Sequence, residues 1–232
     1  MSRELSKEQF IERLKTRDNG KCKYLYQVNV LRTPNENYVK YAYDYIINCE
    51  TEEIGSSKLQ LKGIETVKRQ SSYKYSHSQT AQRDSGRDEE WFVLDIWKKS
   101  DRDYVKEVFG KIVDYQVPLK NVLNDKQVGK IDFIFEKDGE LYLAEIKDSD
   151  SNESALKAIV EVQTYYQIAD KVKLLSSYEK AVDTKIKKAV VLFVNSIGAK
   201  QIKENALVRD LLNKFEIEPI IIDGTANSFK RV

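Results

Sequence analysis

Residues 129–147 read GKIDFIFEKDGELYLAEIK, and the fold turns on this stretch. Asp138-Gly139 is the strongest short hairpin signal in the chain, a two-residue type I′ turn whose left-handed backbone suits Asp and Gly. A turn there makes antiparallel neighbours of the residues on either side and sets Asp132 directly opposite Glu145. That pair shares one face with Lys130, Ile134, Glu136, Leu141, Leu143 and Lys147. The other face holds Ile131, Phe133, Phe135, Tyr142, Ala144 and Ile146, apolar throughout, and is expected to be fully buried. Two facing carboxylates have Cβ atoms about 4.5–5.5 Å apart and repel each other. Lys147 and Lys130 offset part of that repulsion; a divalent cation held by oxygen ligands offsets it better, which favours magnesium or manganese. Glu145 and Lys147, two residues apart, point the same way while Ile146 anchors the strand. A cation and an ammonium together clamp a phosphate electrophilically. The bland alternative is a solvated salt-bridge patch. It must explain a charged cluster among Ile134, Leu141 and Leu143 with a helix following at once.

Working outward, Ser154–Asp170 reads as a long helix with its cap near Asn152. KKAVVLFVNS (187–196) is a continuous apolar strand of the buried type. Gln201–Phe215 reads as a helix and EIEPIII (216–222) as a last strand. On the N-terminal side, RDEEWFVLDIWKK from Arg87 is helical, with Trp91, Leu94 and Trp97 inward, and Asp103–Phe109 extends it or forms a second helix. KIVDYQVPL (111–119) is a strand. The order α-β-β-β-α-β-α-β predicts an α/β fold, a mixed central sheet with helices on both faces.

An Asp on one strand followed by Glu-x-Lys on the next, inside α-β-β-β-α-β, resembles the PD-(D/E)xK nuclease superfamily, the restriction-endonuclease-like fold. The resemblance covers roughly residues 87–222. It implies that Asp132 and Glu145 bind magnesium or manganese with the carbonyl of Ile146, that Lys147 orients or activates the attacking water, and that the substrate is a phosphodiester. The proline of the signature is absent, since Ile131 precedes Asp132. Many members add a Glu on the preceding helix as a further ligand; Glu90 fits, with Glu89 as the alternative. An acid in a first helical turn is also favoured by the helix dipole alone. The RecB-like branch adds Gln-x-x-x-Tyr on the helix after the Lys strand. Here that helix carries EVQTYYQ. Gln163 meets Tyr166 one position early, and Glu161 and Tyr165 have the spacing without the Gln. Gln163 is assigned as a polar contact to substrate or to Lys147, and Lys157 as solvated surface.

Residues 1–86 are set apart as an N-terminal β-rich region, and 87–232 as the nuclease-like domain. A short helix over Lys7–Lys15 precedes KCKYLYQVNVLRT and NYVKYAYDYIINC, which alternate about TPNEN. Centred on Asn35–Glu36, they predict a hairpin with a tyrosine-rich face and Cys22 opposite Cys49 as free thiols. A third strand is expected within Lys58–Lys68. KRQSSYKYSHSQTAQRDSGR (68–87) holds five basic residues against Asp84 and reads as a long loop. Its exposed cations and rings, Lys68, Arg69, Tyr73, Lys74, Tyr75 and Arg83, together with Lys58, Lys62 and Lys130, are the expected nucleic-acid contacts. His77 sits in that loop without an expected partner.

Composition narrows the classes. The 232 residues include 39 Lys+Arg, 37 Asp+Glu and one His, for a net charge of +2. With one histidine and two cysteines, neither a zinc cluster nor a histidine-dependent triad is expected. No apolar run approaches the roughly 18 residues of a membrane helix, so no membrane partner is expected. The charged N-terminus does not resemble a signal peptide, and a cytoplasmic protein is the default. The expected function is a metal-dependent DNA endonuclease. The alternatives are a degenerate nuclease fold that binds nucleic acid or docks a partner, and a structure-specific resolvase acting on branched DNA as a homodimer. RNA as substrate stays open.

Overall fold

Apolar alternation on both sides places the Glu-x-Lys strand at the centre. The structure, a computed structural model, describes residues 4–55, 58–74, 77, 88–121, 128–147, 151–225 and 227–232. Strand β5 (Glu140–Lys147) buries Leu141 and Leu143 on one face and Tyr142, Ala144 and Ile146 on the other. A strand apolar on both faces must be covered twice. Strand β4 (Lys130–Lys137) pairs with it antiparallel in the expected register, from Phe133 opposite Ala144 to Lys137 opposite Glu140. Asp138 and Gly139 take φ of 54° and 78°, the double left-handed backbone of the expected turn. Strand β3 (Lys111–Pro118) joins β4 antiparallel; β6 (Ile186–Phe193) and β7 (Ile217–Thr225) continue parallel from β5; β8 (Ser228–Arg231) closes antiparallel on β7. The sheet runs β3-β4-β5-β6-β7-β8.

Helices α4 (Asp88–Lys98) and α5 (Asp103–Phe109) pack Val93, Ile96, Val105 and Phe109 with Phe133, Phe135, Ile146 and Val191 on one face. Helices α6 (Ala155–Ile168), α8 (Ile197–Glu204) and α9 (Ala206–Lys214) pack with Ile134, Leu143, Val190 and Leu192 on the other. The molecule is therefore α/β, with a mixed sheet between helical layers. Ser154, not Asn152, caps α6. The helix expected over 201–215 is two helices. Asn205, in extended backbone, ends α8 and caps α9 by accepting from the amides of Leu207 and Val208. Helix α7 (Lys171–Ser177) and β8 are too short to carry a periodic signal.

The N-terminal region corrects the expectation of a β-rich unit. Helix α1 (Lys7–Lys15) forms as expected, with a Ser6/Gln9 capping box. Instead of a hairpin there follow a turn, α2 (Arg17–Gly20), two 3-10 turns (Leu25–Gln27 and Asn29–Arg32) and α3 (Glu36–Tyr45). Strands are confined to a short ladder of β1 (Thr51–Glu53) with β2 (Leu59–Leu61), so the third expected strand shrinks to its first part. The reason lies in the tyrosines. Tyr41, Tyr43 and Tyr45 alternate, but the buried set is Tyr38, Val39, Ala42 and Tyr45, a helical spacing. Asn35, read as a turn residue, is an N-cap accepting from the amides of Asn37 and Tyr38. Cys22 and Cys49 are free thiols but do not face each other across a hairpin.

This helical region shares one core with the sheet. Phe10, Leu14, Tyr26, Val28, Leu31 and Ala42 belong to the same apolar cluster as Leu156, Ile159 and Val160 of α6. Ser154 seals the join. Its amide donates to Arg32 O at 3.0 Å, and its hydroxyl donates to Leu31 O. A common core predicts one cooperative transition in urea, coincident by tryptophan fluorescence and far-UV circular dichroism, although both tryptophans lie in the α4 layer. Ser154→Ala removes a cap and a buried hydrogen bond and is expected to cost about 2 kcal/mol. Two separated transitions would contradict the shared core.

Candidate active site

Residues at odd positions of β5 face α6, so Glu145 and Lys147 are carried beneath that helix; each is only 3% exposed. Charges held there need partners, because burial costs several kcal/mol per ion. Lys147 Nζ lies 2.6 Å from Glu145 Oε1 and 3.5 Å from both Glu153 Oε2 and Glu161 Oε2. Helix α6 supplies the opposing line. Glu153, just before the helix, Lys157, Glu161 and Tyr165 recur every four residues and so fall on one stripe. Lys157 Nζ stands 2.6 Å from Glu153 and 3.4 Å from Glu161, and the Tyr165 hydroxyl donates to Glu161 Oε1 at 2.9 Å.

Asp132 enters differently from the sequence expectation. The β4–β5 ladder stops at Phe133–Ala144, one step before Asp132 would face Glu145. Where the strands part, Asp132 Oδ2 accepts from the Ile146 amide at 3.0 Å and Oδ1 from Gln116 Nε2 at 2.8 Å. Gln116 holds a left-handed φ of 48° on the neighbouring strand. Beyond this point Ile131 and Val117 pack with the α6 layer, while Phe133 and Tyr115 stay with the α4 layer. Ile131 is thus on the opposite side from the one a regular pleat predicts. Asp132 stays half-buried beside Glu145, close enough to act on its charge.

The electrostatics follow from crowding. Burial, then the charges of Asp132 and Glu161, push the Glu145 carboxyl well above its ordinary range. Burial also raises Asp132, against the pull of Lys147 and the Ile146 amide. Burial acts the same way on Glu161, but Lys147 and Lys157 outweigh it and hold that carboxyl at about 2. Glu145 Oε2 and Glu161 Oε2 are buried without a hydrogen bond, and Glu161 Oε2 has the ammonium groups of Lys157 and Lys147 at 3.4 and 3.5 Å. An oxygen such as Glu145 Oε2 calls for a proton or a cation. Four carboxylates, Asp132, Glu145, Glu153 and Glu161, stand against two ammonium groups and the Arg32 guanidinium, 3.4 Å from Glu153. Hard oxygen donors in excess fit magnesium or manganese. Among the described residues no three His, Cys, Asp or Glu side chains are grouped so as to hold a metal ion, because Lys147 occupies the middle.

Asp132, Glu145, Ile146 and Lys147 come together as expected, though not in the expected pairing. Gln163 does not join them. Two residues on from Glu161, it projects from nearly the opposite side of α6, donates to Gln167 Oε1 at 2.9 Å and accepts from Lys188 Nζ at 2.9 Å. The missed residues are Glu161 and Tyr165, whose spacing was visible in the sequence, and Lys157, which is buried and not solvated. Tyr26 was also missed. Its ring meets Tyr165 edge-on at 5.4 Å. Gly129, at φ 85°, makes room for Tyr165; a Cβ there would lie 2.5 Å from the hydroxyl. Glu90 stands half-buried on α4, in the layer across the sheet from α6.

Of the expected nucleic-acid contacts, Lys68, Lys74, Lys130 and Lys62 are exposed, and Lys58 pairs with Glu216 at 2.7 Å. Arg69 is a structural clamp instead. It donates to Lys120 O at 3.1 Å, Ser72 O at 3.1 Å, Ser71 O and Pro118 O, and lies 4.5 Å over the ring of Tyr73, which is buried rather than exposed. Arg83 and Tyr75 fall outside the described residues. His77 is not partnerless: it bonds Asp114 at 2.5 Å and stacks on Tyr115 at 3.9 Å. Among the described residues no helix is long and apolar enough to cross a membrane.

A carboxyl whose folded-state pKa is raised favours the folded state below its unfolded value and loses that contribution as pH rises through the folded value. Glu145→Gln removes this loss while keeping an acceptor for Lys147. Its melting temperature relative to wild type is expected to rise between pH 5 and pH 8. A difference that is flat with pH would contradict the shift. Comparison of the chain with protein-family models, with curated proteins and with solved structures returns no match.

Proposed function

We propose that this chain is a metal-dependent nuclease of restriction-endonuclease-like fold that hydrolyses phosphodiester bonds, with DNA as its substrate. The observation that carries this reading is the meeting of Asp132, Glu145 and Lys147 where two central strands part, with the buried Glu145 Oε2 left without a hydrogen bond. For a magnesium or manganese ion to be held, Asp132, Glu145 and Glu161 would have to draw together around it in place of the Lys147 ammonium, with the Ile146 carbonyl that the resemblance adds. Once bound, the ion lowers the pKa of water and draws charge from a phosphate. The protein's own groups prepare the place. Gln116 and the Ile146 amide fix Asp132. Lys157 and Tyr165 keep Glu161 ionised and oriented. Lys147 aims an ammonium at the oxygen that gains charge, in surroundings where such a fixed charge is worth several kcal/mol of barrier.

One observation favours a second reading. Lys147 is buried among three carboxylates, an arrangement that a binding protein descended from a nuclease would also keep as a structural ion pair. The two differ in metal dependence.

Wild type, Lys147→Gln and the milder Asp132→Asn are incubated with supercoiled, linear and single-stranded DNA and with RNA, with and without magnesium or manganese. Removing one member of a buried ion group can cost about 3–5 kcal/mol, so circular dichroism and melting accompany each variant. Cation-dependent cleavage that both folded variants lose by at least about 100-fold is the expected result. Equal cleavage by all three proteins would overturn the assignment, and binding without cleavage would favour the second reading.

A further inference from the structure

A second set of charges lies apart from the acid cluster, in the helical N-terminal region. Arg17, Lys23, Tyr24, Leu25, Glu50, Leu61, Lys62, Gly63 and Ile64 line a groove of about 330 Å³. Its floor is Tyr24, Leu25 and Leu61, all buried, and its rim is cationic. Three basic residues against one acid give this lining a surplus of two positive charges, as large as that of the whole chain. Glu50 is already engaged. It accepts from Arg17 Nη2 at 2.6 Å and from the Tyr45 hydroxyl at 2.5 Å. Arg17 is held in place from behind, donating to Leu14 O at 2.5 Å. Lys23 and Lys62 are exposed. Lys23 lies 5.2 Å over the Tyr24 ring, and Lys62 reaches only the Cys49 carbonyl at 3.4 Å. Gly63 turns the chain at φ 68° with open space beside it, leaving the groove wall low.

The backbone under Arg17 is unusual. Arg17, Asp18 and Asn19, all non-glycine, take φ of 51°, 51° and 59° in succession. Such residues are strained, and strain of this kind persists where the surroundings hold it. Buried Asp18 does so, accepting from Arg13 Nε at 2.7 Å and the Asn29 amide at 3.0 Å. The result is a guanidinium held in place in a groove that also carries two exposed ammonium groups. Aromatic rings link the groove to the acid cluster. Tyr24 stacks on Tyr26 at 6.1 Å, Tyr26 meets Tyr165 at 5.4 Å, and Tyr165 bonds Glu161.

We infer that this groove binds the phosphate backbone of the nucleic acid on which the acid cluster acts, as an anchoring subsite distinct from the contacts expected of the 68–87 loop. The inference rests on the proposed nuclease function for the identity of the ligand. Lys23 and Lys62 each neutralise a phosphate, while Arg17 lines the groove paired with Glu50.

Fluorescence anisotropy of labelled oligonucleotides of about 20 nucleotides, single- and double-stranded, in the presence of a chelator reads binding without cleavage. The paired charge reversal Lys23→Glu with Lys62→Glu is compared with Lys203→Glu with Lys230→Glu, exposed lysines on α8 and β8. The groove variant is expected to bind at least about tenfold more weakly at moderate salt, with the slope of log affinity against log salt reduced by about 2. The control pair, of equal charge change, is expected to shift affinity by less than about threefold. Both should melt as wild type does. Groove and control variants that weaken binding equally would overturn the groove and leave the nuclease reading standing. A wild-type chain that binds neither probe would overturn both.

Discussion

A lysine ammonium buried among carboxylates is the constraint around which the rest of the molecule is arranged. Lys147 is placed on the last position of a central strand, on the face that α6 must cover. An isolated charge there would be untenable, and Glu145, Glu153 and Glu161 converge on it. Their own repulsion is then relieved by Lys157, Tyr165 and Arg32. Charge thus recruits charge along one stripe of one helix. The apolar residues between, Ala158, Ile159 and Val162, fasten α6 to the sheet so that the stripe cannot drift.

The N-terminal residues serve the same place. Leu31 and Arg32 accept from Ser154 at the head of α6, and Tyr26 buttresses Tyr165. The helical region is therefore part of the wall of the cluster. The same segment presents the cationic groove on its outer side, so one small set of turns joins an acidic interior to a basic surface.

The sheet was legible where periodicity and turn chemistry agree. Asp138-Gly139 admits one hairpin register, and continuous apolar runs admit only central strands, so β4, β5, β6 and the face carrying Glu145 and Lys147 could be read directly. Asp132 was legible as a member of the site but not in its geometry, because the β4–β5 ladder ends at Phe133–Ala144 beside a left-handed Gln116 on β3, and no local signal in residues 129–147 encodes either. Residues 22–49 misled because tyrosine tolerates both strand and helix, and alternate tyrosines mimic a pleat that helix burial overrides. Gln163 misled because residue type was weighed above angular position. Glu161 has the position, two helical turns beyond Glu153, and only packing against Lys147 reveals it. His77 gained its partner from Asp114, distant in sequence and invisible to any local pattern.

Asp132, Glu145 and Glu161 are proposed to close into a cation-binding corner when an ion takes the place of the Lys147 ammonium and completes the buried Glu145 Oε2. Calorimetric titration of manganese into wild type and Glu161→Gln tests it most directly. Wild type is expected to take up manganese, and the folded Glu161→Gln variant to lose that uptake or weaken it at least about tenfold. Absence of uptake by wild type, or identical uptake by both proteins, would contradict it.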